Sequence, residues 1–307
     1  NQIKILDLSN CIKLKYIGVD AFTNNQIKQL KLPNNIETLS FASFAYNKIQ
    51  NLDLSNCIKL KNIERFAFKE NQIKHLKLPQ NIEIIDNYSF NKNQIEILDL
   101  SNCINLKNIG EFAFKENQIK HLKLPNNIEE IKWSAFLKNQ IKILDLSNCI
   151  KLKNIREAAF RENQIKHLKL PNNIETLSFA SFEYNKIQNL DLSNCINLKN
   201  IREAAFRENQ IKHLKLPKNI EKIELSAFLN NKIEILDLSN CIKLKHIVFD
   251  AFSSNPLNEI KILGDIEVEY DLDDHNIWNR FVKYYNENDK KSGDYKLENN
   301  KWQWYPL

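Results

Sequence analysis

Histidine and cysteine are the residues of this sequence best suited to metal or thiol chemistry, and both recur at a fixed interval. Within each of two sets, successive members are 46 residues apart. The recurring histidines are His75, His121, His167 and His213, and the cysteines are Cys11, Cys57, Cys103, Cys149, Cys195 and Cys241; His246 and His275 lie outside the series. Imidazole and thiolate groups bind zinc when about four of them converge on one point. Whether they can converge depends on how the repeat folds.

A lysine precedes each of these histidines, and Lys28 precedes Gln29, which holds the equivalent position in the first repeat. A row of cations would attract an acidic protein surface, a polyanionic glycan or nucleic acid. The alternative is an ordinary solvated charged face. The candidate binding residues are therefore Lys28, Lys74, His75, Lys120, His121, Lys166, His167, Lys212 and His213.

The repeat itself predicts the elements that position these residues. Each 46-residue unit divides into a long half of 24 residues and a short half of 22, and both contain Ile or Leu, two residues, Leu, one residue, Leu. Alternation of period two is typical of a strand with one buried face. A repeat period between 20 and 50 residues is typical of a solenoid. We therefore expect a parallel, concave sheet of about twelve short strands, each contributed by one half-repeat.

The spacing of the strands argues against both a metal site and disulfide bonds. Residues on every second strand lie roughly 9–10 Å apart, too far to share one metal ion or to form a disulfide, which needs Cα atoms within about 7 Å. We expect six reduced, buried thiols, no metal site and no cofactor. Outward Asp and Lys residues alternate along the sheet from Asp7 and Lys31 onward. We expect each of these charges to lie between two opposite neighbours.

Phenylalanine also recurs with the repeat. Eleven of the 17 phenylalanines follow the pattern, from Phe22 and Phe44 to Phe252. Stacked from coil to coil, they are expected to form a continuous aromatic spine inside the solenoid.

The half-repeat Gln26 to Phe44 resembles the BspA-like, Treponema-type class of leucine-rich repeats. The pattern Leu-x-x-Leu-x-Leu-Pro-x-x-Leu-x-x-Ile-Gly-x-x-Ala-Phe covers about residues 1–263. Its glycine survives only at Gly18 and Gly110, and the long halves carry two extra residues around Ser9-Asn10-Cys11. The resemblance implies an α/β, mostly β, solenoid. It also implies a surface or secreted adhesin that attaches to host matrix proteins or to other bacteria.

The period ends near Gly264, so residues 264–307 are expected to form a separate capping segment. Spacings of apolar residues predict a helix from Asp274 to Tyr285, with Asp273 or Asp274 as the capping residue. Tyr295 to Tyr305, with an Asn-rich centre, predicts a hairpin. Three of the four tryptophans lie in this tail. We interpret it as a cap over the last coil; the alternative is an aromatic surface that binds a ligand such as sugar.

The remaining features bound the function. A net charge of +6 and a pI of about 8.8 are mild for 307 residues, and no aromatic or arginine cluster lies on the strands, which disfavours nucleic acid as a partner. The sequence contains no run of 18 apolar residues, so we do not expect membrane insertion. The absence of Met and the start at a repeat boundary favour a trimmed chain.

No catalytic motif stands outside the repeats. The sequence thus favours a non-enzymatic protein-binding scaffold, as a surface adhesin. Two alternatives stay open: a cytoplasmic interaction scaffold with reduced cysteines, and an enzyme subunit whose chemistry lies elsewhere.

Overall fold

The structure is a computed structural model that describes residues 2–269 and 276–307. It is a parallel-strand solenoid of about eleven turns, followed by one helix and a hairpin. The predicted fold class is confirmed. None of the helices in the described part of the chain has the length and apolar character needed to cross a bilayer.

The Leu-x-Leu segments form the predicted short strands. The central Leu of each strand points into the core and its two neighbours point outward. Numbered in chain order, these strands are β1 (Ile5–Asp7), β3 (Gln29–Lys31), β5 (Asn51–Asp53), β7 (His75–Lys77), β9 (Ile97–Asp99), β11 (His121–Lys123), β13 (Ile143–Asp145), β15 (His167–Lys169), β17 (Asn189–Asp191), β19 (His213–Lys215), β21 (Ile235–Asp237) and β23 (Glu259–Ile262).

These twelve strands do not form one uninterrupted sheet. Each long-half strand pairs over three residues with the short-half strand that follows it, as β5 does with β7. The next step pairs only one residue, as between β7 and β9, or none, as between β11 and β13. We call the surface formed by these twelve strands the first face of the solenoid. It is divided into segments that begin at β1, β5, β13 and β21.

A second sheet, which the sequence analysis did not predict, runs without interruption along the solenoid. It has 12 strands of two residues, each from the second apolar set of a half-repeat. They are β2 (Tyr16–Ile17), β4 (Thr38–Leu39), β6 (Asn62–Ile63), β8 (Ile84–Ile85), β10 (Asn108–Ile109), β12 (Glu130–Ile131), β14 (Asn154–Ile155), β16 (Thr176–Leu177), β18 (Asn200–Ile201), β20 (Lys222–Ile223), β22 (His246–Ile247) and β24 (Glu267–Val268). The second sheet therefore provides the continuous ladder of backbone hydrogen bonds along the solenoid.

The phenylalanine spine is confirmed. Each of the eleven rings from Phe22 to Phe252 stacks on the next, with centroids 5.2–5.6 Å apart and planes within 9°. Offset stacking of this kind adds a specific attraction to the free energy gained by burying the rings. The spine thus joins every coil to its neighbours.

A row of buried asparagines runs beside the spine, one at the start of each half-repeat. Asn139 accepts a hydrogen bond from the Ile119 amide at 3.0 Å and donates to the carbonyls of Phe114 and Phe136 at 3.0 and 3.1 Å. Asn47, Asn93 and the asparagines that follow in the row make the same bonds, whereas Asn25 donates to carbonyls of its own coil. The carbonyls of Phe114 and Phe136 each accept a second bond, from Asn117 and Asn163, so successive asparagines share these carbonyls, and each buried amide such as that of Ile119 is satisfied by one asparagine.

The alternating charges pair in one direction only among the described residues. The Nζ atom of Lys77 lies 3.5 Å from Asp53, on the strand before it, and the equivalent pairs from Lys31–Asp7 to Lys215–Asp191 span 3.3–3.8 Å. No ion pair joins Lys77 to Asp99 on the strand after it. The strand order β5-β7-β9 places Lys77 between Asp53 and Asp99, as predicted, but within the described residues the ion pair forms with Asp53 alone.

All six cysteines are free, as predicted, and five of them are buried. The Sγ atom of Cys103 lies 3.7 Å from the carbonyl oxygen of Pro79 in the preceding short half. Burial raises the pKa of the Cys57, Cys103, Cys149 and Cys195 thiols to about 11, so they are protonated near neutral pH. Cys11 is exposed, contrary to the prediction, because among the described residues a coil packs on only one side of it.

The C-terminal segment forms a helix, α1 (Ile277–Glu287), and a hairpin of β25 (Gly293–Glu298) and β26 (Lys301–Tyr305). β25 adds antiparallel to β23 and so covers the edge of the first face. Asn299 and Asn300 form the turn at positive φ, as an Asn-rich turn predicts. Asp273 and Asp274 lie outside the described residues, and the N-cap of α1 is Asn276, which accepts from the Trp278 amide. The boundary after residue 263 stays a prediction.

Candidate interaction surface

The predicted binding residues lie on one face of the solenoid, which we call the Lys/His face. The four histidines each begin a strand of the first face, β7, β11, β15 and β19. A lysine precedes each histidine directly, and Lys28 precedes β3. All nine side chains are exposed: Lys28, Lys74, His75, Lys120, His121, Lys166, His167, Lys212 and His213. The structure thus brings the predicted residues together as two adjacent columns.

The lysines of this face differ in their charge partners. Lys120 Nζ lies 2.9 Å from Glu96 Oε2, and this hydrogen bond lowers the pKa of Glu96. Lys28, Lys74, Lys166 and Lys212 form no ion pair with a carboxylate in the described part of the chain. Of the nine predicted residues, these four lysines therefore offer unpaired positive charge to a partner, and Lys120 does not.

Exposed isoleucines interrupt the histidine column, and the sequence analysis gave them no role. His75 and His121 each pair in register with Ile97 on the strand between them, and His167 pairs with Ile143. Ile5, Ile97, Ile143 and Ile235 are 53–65% exposed. The strand pattern already places these isoleucines at an outward position, and an apolar side chain at that position is the signal that could have identified them. The face is thus both basic and apolar, a combination found at protein interfaces.

The histidines do not come together as a metal site. They lie on alternate strands with Ile97 or an equivalent residue between them. Within residues 2–269 and 276–307, no three His, Cys, Asp or Glu side chains are grouped closely enough to hold an ion.

A cleft opens on this face where β11 and β13 separate. It has a volume of about 560 Å³. Lys120, His121, Lys123, Lys142 and Ile143 are among its lining residues, with Asp145 as a counter-charge. A similar cleft of about 600 Å³ lies between β19 and β21, beside Lys215, Lys218 and Asp237. The clefts thus lie where the first face is divided, and the charged residues that line them are mostly lysines.

These features, a strand and a loop segment in every coil with leucine, phenylalanine and asparagine rows stacked inside, define a leucine-rich-repeat solenoid. The chain belongs to the BspA type leucine-rich repeat region family, which matches it in six copies over residues 2–105, 83–197 and 180–270. No curated protein matches the sequence significantly.

Solved structures that are similar to this chain come from several bacteria. The functional domain of InlJ from Listeria monocytogenes, described as including a cysteine ladder, is 18% identical with a TM-score of 0.54; the match covers 86% of this chain and 56% of that one. The pneumococcal vaccine antigen PcpA is 16% identical, with a TM-score of 0.44 and coverages of 90% and 82%. A leucine-rich repeat protein from Bacteroides ovatus is 17% identical, with a TM-score of 0.43 and coverages of 87% and 75%. The chain therefore spans little more than half of the InlJ structure.

Proposed function

We propose that this chain is a non-enzymatic protein-binding scaffold whose Lys/His face binds an extended acidic partner. The observation that carries the proposal is that, among the described residues, four exposed lysines of this face form no ion pair and lie beside exposed isoleucines and histidines. Unpaired cations attract an acidic surface over a Debye length, and the apolar side chains supply area that is buried on contact. Repetition along the solenoid suits a long partner better than a small one.

The partner class is an acidic protein surface or a polyanionic glycan. Family membership supports the role of a surface or secreted adhesin that engages host matrix proteins or other bacteria. The competing role is a cytoplasmic interaction scaffold, which the six free thiols favour. Protease accessibility of the natural protein on intact cells separates the two, because only a surface-exposed chain is cleaved without lysis.

A charge-reversal experiment tests the binding face. The variant changes Lys28, Lys74, Lys166 and Lys212 to Glu and omits Lys120, whose charge Glu96 already offsets. The matched control changes four lysines of the exposed loops to Glu: Lys13, Lys59, Lys151 and Lys243. Both variants carry the same net charge, so a difference between them reports the position of the charge and not its amount.

Binding to immobilised heparin and to fibronectin is measured at low and high salt. The face variant is expected to bind at least about tenfold more weakly than the control variant at low salt, with a smaller gap at high salt. If both variants lose affinity equally, or if neither loses affinity, the Lys/His face is not the binding surface.

A further inference from the structure

A second row of aromatic rings lies on the surface of the solenoid, outside the buried phenylalanine spine. We call it the outer aromatic row: Phe41, Phe66, Tyr88, Phe112 and Trp133. Each ring lies 4.6–5.4 Å from the next, from centroid to centroid. Phe41 and Trp133, at the two ends, are 38% and 49% exposed, and the three rings between them are half-buried.

The three central rings occupy backbone positions that oppose bulky side chains. Phe66, Tyr88 and Phe112 have φ values of 61°, 58° and 55°, in the left-handed region. The equivalent residues of the other coils, also at positive φ, are small or short: Asp20, Ala42, Ser134, Ala158, Ala180, Ala204, Ser226 and Asp250. A bulky residue in this conformation is an outlier and points to a function that maintains it.

A later part of the chain repeats this region without the three central rings. The segment Phe41 to Tyr46 recurs 138 residues later as Phe179 to Tyr184, with a single difference, Glu183 in place of Ala45. In that later copy, Ala204, Ser226 and Asp250 stand where the first copy has Phe66, Tyr88 and Phe112. The coil folds in the same way with either set. The fold therefore does not require the aromatic residues.

A cavity of about 430 Å³ lies at the Phe41 end of the row. Phe41, Tyr46 and Phe66 supply its aromatic lining, and the ring of Phe41 is perpendicular to that of Phe66. Asp20, Thr23, Asn24 and Lys69 supply its polar lining. A mostly apolar recess with a few polar groups is the usual form of a small-ligand site.

The charges around the row indicate the ligand class. Lys69 lies 5.3 Å from the Phe66 ring centre and 3.6 Å from Glu70, and Lys115 lies 5.5 Å from the Phe112 ring centre and 3.3 Å from Glu116. These two lysines are thus largely neutralised. Arg65, 4.8 Å from the Phe66 ring centre and 5.8 Å from that of Tyr88, forms no ion pair in the described part of the chain, but a single guanidinium falls short of the row of cations that a polyanion would need. The Asp20 carboxylate further opposes an anionic ligand.

We infer that the outer aromatic row and its cavity bind an uncharged oligosaccharide. Sugar rings have apolar C–H faces that pack on aromatic surfaces and hydroxyls that both donate and accept hydrogen bonds. The Asp20 carboxylate accepts, the Lys69 ammonium donates and the Asn24 amide does both, which matches hydroxyl groups. A proline-rich peptide offers carbonyl acceptors but few donors, so the carboxylate would have no partner. This site is separate from the Lys/His face, and neither proposal depends on the other.

The test replaces the central rings with residues that other coils already carry: Phe66→Ala, Tyr88→Ser and Phe112→Ala in one variant. Phe179→Ala is the matched control, because Phe179 is 45% exposed but lies outside the row. Thermal unfolding of both variants is measured first. The triple variant is expected to unfold at a temperature no lower than the control, since its new residues suit positive φ better.

Cellohexaose, mannohexaose and chitohexaose are then titrated into each protein by calorimetry, with a heparin fragment and a proline-rich peptide as comparison ligands. We expect at least one uncharged hexasaccharide to bind the natural chain and the control equally, and the triple variant at least about tenfold more weakly. Failure of all three sugars to bind the natural chain, equal binding by the triple variant, or preference for heparin or the peptide would overturn the inference.

Discussion

The indole ring of Trp278 lies 5.1 Å from the ring of Phe252, and this contact joins the cap to the last member of the phenylalanine spine. Trp278 is fully buried and packs in turn on Phe281, 5.4 Å away. The aromatic column that begins at Phe22 therefore continues into α1. The helix closes the end of the solenoid by supplying the ring that a further coil would have supplied.

Replacing Trp278 with Ala is expected to lower the free energy of unfolding by about 3–5 kcal/mol, because it opens a large cavity at the end of the spine. Urea unfolding followed by circular dichroism measures the change. Trp133→Ala is the control and is expected to cost less than ~1 kcal/mol, because half of that side chain is already exposed. Equal losses in the two variants would show that the cap contributes no more than a surface aromatic.

The repeat pattern was sufficient to predict the solenoid, its short strands and the phenylalanine spine, because all three follow from which residues face inward in every half-repeat. It was also sufficient to place Lys74 and His75 side by side on one face. The second sheet was missed because two-residue strands such as Tyr16–Ile17 show no alternation to detect. They exist through backbone bonds between coils, and a pattern of side chains does not report those.

The pairing of Lys120 with Glu96 and the separation of β11 from β13 could not be predicted either. Both depend on small offsets between successive coils, and a 46-residue period does not encode them. The outer aromatic row was missed for a different reason. Phe66, Tyr88 and Phe112 interrupt the repeat where other coils have small residues, so a pattern of recurring residue types does not reveal them.

The asparagine row predicts a large cost for one small substitution. Asn139→Ala leaves the buried Ile119 amide without this partner, whereas the carbonyls of Phe114 and Phe136 keep their bonds from Asn117 and Asn163. At ~1–3 kcal/mol for a buried group left unsatisfied, we expect a loss of about 1–3 kcal/mol in urea unfolding. The matched variant is Asn127→Ala. Its Nδ2 atom bonds the exposed carbonyl of Ile104, which water can satisfy instead, so a loss there as large as that at Asn139 would contradict the account.

Two glycines of the repeat are expected to respond differently to the same change. A Cβ atom at Gly110 would lie 2.5 Å from the backbone carbon of Asp86, whereas at Gly18 it would meet nothing within 4 Å. Gly110→Ala must therefore displace the preceding coil and is expected to cost about 1–3 kcal/mol. Gly18→Ala is expected to leave the midpoint of thermal unfolding unchanged. Similar midpoints for the two variants would mean that the coils move apart freely at Gly110.

The Asp-x-Ser turn predicts a defined pH dependence. Ser147 donates its hydroxyl to Asp145 at 2.6 Å and its amide at 3.0 Å, and these bonds lower the pKa of Asp145. A folded-state pKa below the unfolded value contributes stability above the unfolded pKa of about 3.9, and this contribution is lost as the pH falls through the folded value. The stability advantage of the natural chain over Ser147→Ala should thus be larger at pH 6 than at pH 2.

Urea unfolding at intervals between pH 2 and pH 6 measures that difference, and Ser9→Ala, at the equivalent but more exposed turn, provides a comparison. The gap between the natural chain and Ser147→Ala is expected to narrow steadily on acidification. A gap that is constant with pH would mean that Ser147 stabilises the turn by a bond that does not depend on the charge of Asp145.

The buried thiols predict selective labelling. Cys11 is exposed, whereas the other five cysteines are buried, and burial raises the pKa of Cys241 to about 12. A thiol reagent needs both access and a thiolate, so the native chain at pH 8 should react rapidly at Cys11 alone, and all six thiols should react in strong denaturant. Absorbance titration with a disulfide reagent counts the reactive groups, and Cys11→Ser should remove the fast phase completely. Fast reaction of a second thiol in that variant would show that the coils open locally around the remaining cysteines.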